Sequence, residues 1–308
     1  MELFRRYRRD MDVARRRIDA LEPRAVQTPF GRVEYVDQGE GPPVLVVHGI
    51  TQGADGGIHE LAEGLVPPAY RLLVPSRFGY LGSEMPEGAT PAMQADAFDA
   101  LLDAIGLGDI VVVAGSAGST SALHLAIRHP ARVRALMLVS ANVPGVHQLS
   151  GSPPKPVFRA IFSSDPIMWL IVTYFPGVMA RLSQVLRVPP GVEPSPADLS
   201  SLSRAMHAVF PARMRATGVV FDAYESNPDI NRVELSLVRA PTLVMHALDD
   251  PGPPYEAAVR MARQMPIAKV VTVERGGHLM LGEHPLAMQA AHEFLREHTA
   301  DLSVISQV

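Results

Sequence analysis

An α/β architecture, in which a mostly parallel sheet is flanked by helices and interrupted by an inserted helical segment, follows from three features of the chain. Short apolar runs alternate with helical patterns from Gly31 to Val139, and the same rhythm returns at Thr242. Runs such as Val44–Val47 and Ile110–Ala114 are apolar at every position, as strands covered on both faces of a parallel sheet are. Between residue 142 and about residue 230 the alternation stops, and prolines such as Pro144, Pro153, Pro154 and Pro166 punctuate short apolar helical pieces. The expected division is an N-terminal helical arm at 1–24, a core at 25–141 and 231–308, and a helical cap at 142–230. With 308 residues, 47% of them hydrophobic, and a formal net charge of −4, the chain can bury a large core and is not of the disordered type.

In the arm, Phe4, Tyr7, Met11, Ala14, Ile18 and Leu21 recur at spacings of three and four, the apolar stripe of a helix that Pro23 ends. Arginines from Arg5 to Arg17 fill the other faces, diluted by Asp10, Asp12 and Asp19. A surface helix docked by its stripe is expected; contact with a partner helix or an anionic membrane surface is the alternative. Val33–Val36, Val44–Val47 and Tyr70–Val74 read as strands. Thr90 and Pro91 supply an N-cap and a proline at the first helical position, for a helix running to about Ile105. Ile110–Ala114 is a strand, Ala117–Arg128 a helix and Arg134–Val139 a strand. Beyond the insertion come a strand at Thr242–His246, a helix from about Pro254, a strand at Lys269–Val273 and a helix over about 285–297.

Composition also excludes functions. The chain has no cysteine, which removes disulfides, thiolate nucleophiles and thiolate metal sites. A net charge of −4 gives no reason to expect nucleic acid as a partner. No apolar core of a secretory signal occurs near the N-terminus, and the longest apolar run, Ile167–Phe175, is about half of the ~20 residues a spanning helix needs. A cytoplasmic protein is expected. No metal-ligand set or nucleotide fingerprint is present, so no cofactor is expected.

The segment from Val111 to Thr120 carries the chemistry. A buried strand runs into a helix through Ala114-Gly-Ser-Ala-Gly118, a turn of small residues that lifts its central side chain clear of the sheet. Ser116 stands at that centre, with alanine in place of the first glycine of G-x-S-x-G. A phosphate-binding loop or a plain tight turn is the alternative for this segment alone. A serine hydroxyl needs a base, and the base an orienting acid. His278 follows a strand and two glycines, and Asp250 lies just beyond another strand, so serine, acid and histidine occur in the order Ser116, Asp250, His278. Acyl transfer also needs two fixed N–H donors for the tetrahedral oxyanion. The Ala117 amide and the Ile50 amide, the latter just beyond His48-Gly49 at the end of a buried strand, are the candidates.

Taken together, these motifs resemble the α/β-hydrolase fold superfamily, in its capped, serine-hydrolase form. The resemblance covers about 28–142 and 235–297. It rests on Gly39–Pro43 leading to His48-Gly49, on Arg77-Phe-Gly-Tyr-Leu-Gly-Ser83, on the serine turn, on the Asp250 turn and on Gly277-His278 through Pro285. It implies Ser116 as nucleophile, His278 as base and Asp250 as its partner, with Asp249 the rival acid. The position after the strand that follows the serine helix reads Ser140-Ala-Asn142, without a carboxylate, which supports Asp250. Relatives that use aspartate at the turn, the epoxide hydrolases and haloalkane dehalogenases, are disfavoured by Ser116.

The expected cap is strongly apolar, and Phe158, Phe162, Trp169, Met206 and Phe210 are its candidate substrate-binding residues. Packing of the cap onto the core by most of these side chains is the alternative. The expected activity is a cofactor-independent carboxylesterase acting on small or medium hydrophobic esters. A carbon–carbon bond hydrolase or perhydrolase-like enzyme on the same triad is the second reading, and a slow-turnover ligand sensor the third.

Overall fold

The computed structural model describes residues 1–146, 153–182, 188, 191 and 193–300. Residues 147–152, 183–187, 189–190 and 192 of the expected cap, and 301–308 of the expected core, lie outside the described residues. Eight strands form one sheet: β1 (Arg24–Thr28), β2 (Gly31–Gln38), β3 (Pro43–Val47), β4 (Arg71–Pro75), β5 (Ile110–Gly115), β6 (Val133–Val139), β7 (Thr242–Ala247) and β8 (Ala268–Val273). Their spatial order is 1-2-4-3-5-6-7-8; β2 runs antiparallel to β1 and to β4, and every other pair is parallel. The strands at the centre are those with unbroken apolar runs, and β3 and β5 are buried at almost every position.

Helices cover both faces. On one face α2 (Pro91–Ala104), α3 (Gly118–Arg128) and α9 (Tyr255–Gln264) bury Phe98, Leu101, Leu123 and Met261. On the other, a helical segment at 54–62 and α10 (Pro285–Thr299) bury Ile58, Leu61, Phe294 and Leu295. The Thr90 hydroxyl accepts from the Met93 amide, capping α2 as its sequence predicts. Strand β1 escapes sequence reading: it is an edge strand whose first two residues are exposed, so it lacks an apolar signature.

Between β6 and β7, neighbours in the sheet, the chain leaves for α4 (Lys155–Phe162), α5 (Asp165–Tyr174), α6 (Pro176–Leu182), α7 (Pro196–His207) and α8 (Ala216–Phe221). Helix α1 (Glu2–Asp19) docks on this segment by its stripe: Met11, Ala14 and Ile18 are buried, the first two in one cluster with Phe158, Phe162, Met168 and Trp169. The Trp169 indole N–H donates to Asp10 at 2.9 Å, and Tyr7 meets the Trp169 ring edge-on. The far end of the stripe does not dock: Phe4 is 60% exposed. No helix among the described residues is long and apolar enough to cross a membrane.

One buried carboxylate ties three parts of the chain together. Asp55, in the segment after β3, accepts from Arg215 at 2.9 and 2.8 Å and from Arg17 of α1 at 2.9 Å, and both Asp55 and Arg215 are fully buried. Burial alone would raise the Asp55 pKa, but Arg215 and Arg17 outweigh it and hold it at about 2. A depressed carboxyl contributes stability above its ordinary pKa of 3.8, and that contribution is lost as pH falls through about 2. Asp55→Asn leaves Arg215 buried without a counter-charge, and is expected to cost about 3–5 kcal/mol in urea unfolding at pH 7. The variant is also expected to lose less further stability than the parent between pH 4 and pH 2.

Candidate active site

The site lies where the strand order reverses. From β3 the chain moves outward to β4 and then returns to β5 on the opposite side, which opens a crevice at the carboxyl ends of β3 and β5. The pairing of Val47 with Ala114 brings His48-Gly49-Ile50 alongside Gly115-Ser116. Ser116 has φ +48°, a left-handed conformation costly for a residue with a side chain. Its amide donates to the Val139 carbonyl at 3.0 Å, and its own carbonyl accepts from Ser119 Oγ at 2.6 Å and the Asn142 amide at 3.2 Å. Only glycine fits two residues later. A Cβ on Gly118 would lie 2.5 Å from the carbonyl oxygens of both Val47 and His48.

Acid and histidine come from beyond the ends of β7 and β8. His278 Nε2 is 2.9 Å from Ser116 Oγ, and its Nδ1 is 2.8 Å from Asp250 Oδ2. With Nδ1–H donated to the carboxylate, Nε2 is left to accept the serine proton. Asp250 Oδ1 accepts from the Gly252 amide at 2.8 Å. Asp249, the rival acid, points elsewhere: its oxygens accept from the Gly276 and Gly277 amides at 3.2 and 2.9 Å, which fixes the glycine turn before His278. Ser140, itself at φ +45°, donates from Oγ to the His278 carbonyl at 2.7 Å. Behind the acid, His246 lies 3.4 Å from Asp250 Oδ2 and bonds through Nε2 to the Pro253 carbonyl. Its burial lowers its pKa, so this ring is neutral at pH 7.

Ser116 and His278 open into a cavity of about 280 Å³ lined by Gly49, Ile50, Leu61, Leu65, Leu279 and Met288, with Glu60, Glu63 and His284 as its other titratable groups. The Gly49 amide is taken by Gln52 Oε1 at 2.8 Å. Among the described residues, the Ile50 and Ala117 amides donate to no protein acceptor, although both residues flank Ser116 in space. No group of three or more His, Asp or Glu side chains is placed for an ion among the described residues.

The five aromatic and methionine candidates of the expected cap are placed differently from expectation. Phe158, Phe162, Trp169 and Phe210 are buried in the cluster shared with α1, and Met206 packs against it. None of the five lines the cavity around Ser116. The reason is geometric. Helices of eight to twelve residues with one apolar face must bury that face to be stable, and α1 and their neighbours are what they bury it against. Ile50 and Leu279 touch both the cluster and the cavity, so the aromatic packing supports the cavity wall from behind.

Comparison with known proteins follows the same lines. The model of the alpha/beta hydrolase fold family matches residues 42–285. The chain belongs to that family. Among curated relatives of this hydrolase, one is the 2-hydroxy-6-oxononadienedioate/2-hydroxy-6-oxononatrienedioate hydrolase 1 of Dechloromonas aromatica, 27% identical over 265 residues. Another is the 2-hydroxymuconate semialdehyde hydrolase of Pseudomonas putida, 28% identical over 265 residues. Each alignment covers 82% of this chain and 86% of the relative. Among solved structures, an alpha/beta hydrolase fold protein from Nakamurella multipartita superposes with a TM-score of 0.61 at 29% identity, covering 89% of this chain and 99% of the other.

Glu60 is the site residue that sequence reading missed. It lies in the helical segment at 54–62, carries no motif, and makes no hydrogen bond or ion pair among the described residues. Burial first, then the nearby charge of Asp55, push its carboxyl from 4.5 up to about 7. A raised acid favours the folded state while protonated, so stability is lost as pH rises from about 4.5 to about 7. Glu60→Gln removes that loss. The variant is expected to match the parent at pH 5 and to exceed it at pH 8 by about 2 kcal/mol in chemical unfolding.

Proposed function

We propose that this α/β hydrolase is a cofactor-independent serine hydrolase that cleaves small or medium hydrophobic carboxylic esters through an acyl-enzyme. The observation that carries the reading is the continuous chain from Asp250 Oδ2 through His278 to Ser116 Oγ, at 2.8 and 2.9 Å, opening into a cavity where Ile50, Leu61, Leu65, Leu279 and Met288 stand beside Glu60, Glu63 and His284. In this reading Ser116 Oγ attacks the ester carbonyl carbon as its proton passes to His278 Nε2. Asp250 stabilises the imidazolium that forms. The carbonyl oxygen becomes an oxyanion and accepts from the Ile50 and Ala117 amides. His278 then protonates the departing alkoxide, and a water molecule, deprotonated by the same nitrogen, releases the acid and restores Ser116. The β6–β7 segment serves as the cap, and Ala205 of α7 brings it to the cavity wall.

The names of the relatives support a second reading, in which the same triad hydrolyses a carbon–carbon bond in an unsaturated keto acid. Lining chemistry favours the ester. A substrate carboxylate calls for a cationic partner, whereas the titratable side chains that line the cavity around Ser116 are Glu60, Glu63, His278 and His284, with no arginine or lysine among the described residues. A neutral substrate needs no such partner.

A panel of alkyl and aryl esters set against unsaturated keto acids separates the two readings. The expected result is a higher kcat/KM on at least one neutral ester than on any keto acid. Ser116→Ala is expected to lower it by at least ~10³-fold, with loss of fluorophosphonate labelling. Preference for a keto acid would transfer the assignment to carbon–carbon hydrolysis. Single-turnover release with tightly retained product would favour a sensor.

A further inference from the structure

A second buried polar cluster touches the peptide that carries the Ile50 amide. Arg77, just beyond β4, and Asp222, in the β6–β7 segment, are both almost wholly buried. Arg77 Nη1 donates to Asp222 Oδ1 at 2.6 Å, Nη2 donates to the other carboxylate oxygen, and the Tyr80 hydroxyl donates to the same carboxylate. Nη2 also donates to the Gly49 carbonyl at 3.1 Å. The Arg77 backbone N–H donates to His48 Nε2 at 3.0 Å. That bond places the proton of the neutral ring on Nδ1, 2.8 Å from the Gly49 carbonyl oxygen. Burial, and then the charge of Arg77, hold the His48 pKa well below its ordinary value, so the ring stays a neutral donor.

The Gly49 carbonyl thus accepts from two donors, one of them charged. Peptide 49–50 is trans, so its N–H points away from its carbonyl and from Arg77. Donors on a carbonyl polarise the amide of the same peptide unit and strengthen its N–H as a donor. Gly49 also sits close to the nucleophile: a Cβ built on it would lie 3.2 Å from Ser116 Cβ. We propose that Arg77 and Asp222 are positioning residues for the transition state, holding the Gly49 carbonyl so that the Ile50 N–H is fixed toward the tetrahedral oxyanion. Under this proposal the β6–β7 segment, through Asp222, is a working part of the oxyanion site as well as its cover. The proposal rests on the serine-hydrolase reading and adds to it two residues that touch neither substrate nor triad.

Asp222→Asn preserves side-chain size while removing the charge that anchors Arg77. On the best ester of the panel, kcat is expected to fall about 10–100-fold, part of the loss seen when an oxyanion donor is removed outright. KM should stay within about threefold, and the inhibition constant of a boronic acid that adds to Ser116 should rise by the same factor as kcat falls. A folded Asp222→Asn protein with kcat and boronate affinity unchanged, or with its whole loss in KM, overturns the proposal. The wild-type protein gives an answer that does not depend on the variant folding. With isoleucine labelled by nitrogen-15, the Ile50 amide proton should move downfield when the boronic acid adds, and an unmoved resonance overturns the proposal. Wild-type protein that neither turns over an ester nor takes up the boronic acid at Ser116 overturns the underlying serine-hydrolase reading instead.

Discussion

The start of α3 lies against the loop that leaves β3, and the site depends on that close approach. Gly118 makes it possible, because any side chain there would collide with the carbonyls of Val47 and His48. The approach forces Ser116 into a left-handed conformation, a strain of about 1–3 kcal/mol that bonds from Ser119, Asn142 and to Val139 hold in place. One crevice then receives the serine from β5, the free amide from the β3 loop, and the acid and histidine from the ends of β7 and β8.

Buried charge is handled in a consistent way around this crevice. Asp55 is paired with two arginines, Asp222 with Arg77 and the Tyr80 hydroxyl, and Asp250 accepts from His278 and a backbone amide. Each carboxylate is thereby kept as a fixed acceptor, since an unpaired buried charge would be expelled or protonated. Glu60 is the exception, and it lines the cavity itself. A carboxyl left without a partner beside the serine sets the polarity that an incoming substrate meets.

Helix α1 and the β6–β7 segment depend on each other. The short helices of that segment bury their aromatic faces against the apolar stripe of α1, while Arg17 and Arg215 converge on Asp55 from the two sides. The aromatic residues therefore act on the cavity at one remove, through Ile50 and Leu279, and the arginine-rich arm is part of the folded body.

Much of this was legible in the residues. Unbroken apolar runs made β3 and β5 central strands, Thr90-Pro91 marked the start of α2, and the small residues around Ser116 announced a turn that few other sequences could make. These signals are local, governed by steric limits and side-chain period, so a single sequence determines them. The aromatic residues of the insertion were ambiguous because an apolar face packs equally well on a substrate or on another helix, and only the position of α1 decided which. Likewise β1, on an exposed edge, had no apolar pattern to read. Asp222 and Arg215 carried no motif either, because their roles come from partners up to 160 residues away, and Glu60 carried none because burial in the folded chain sets its state. Sequence alone determined the order Ser116, Asp250, His278; tertiary structure decided which of two adjacent aspartates faces the histidine. Asp249 and Asp250 are chemically identical, and only the path of the turn after β7 sends one carboxylate to the imidazole and the other to the glycine amides.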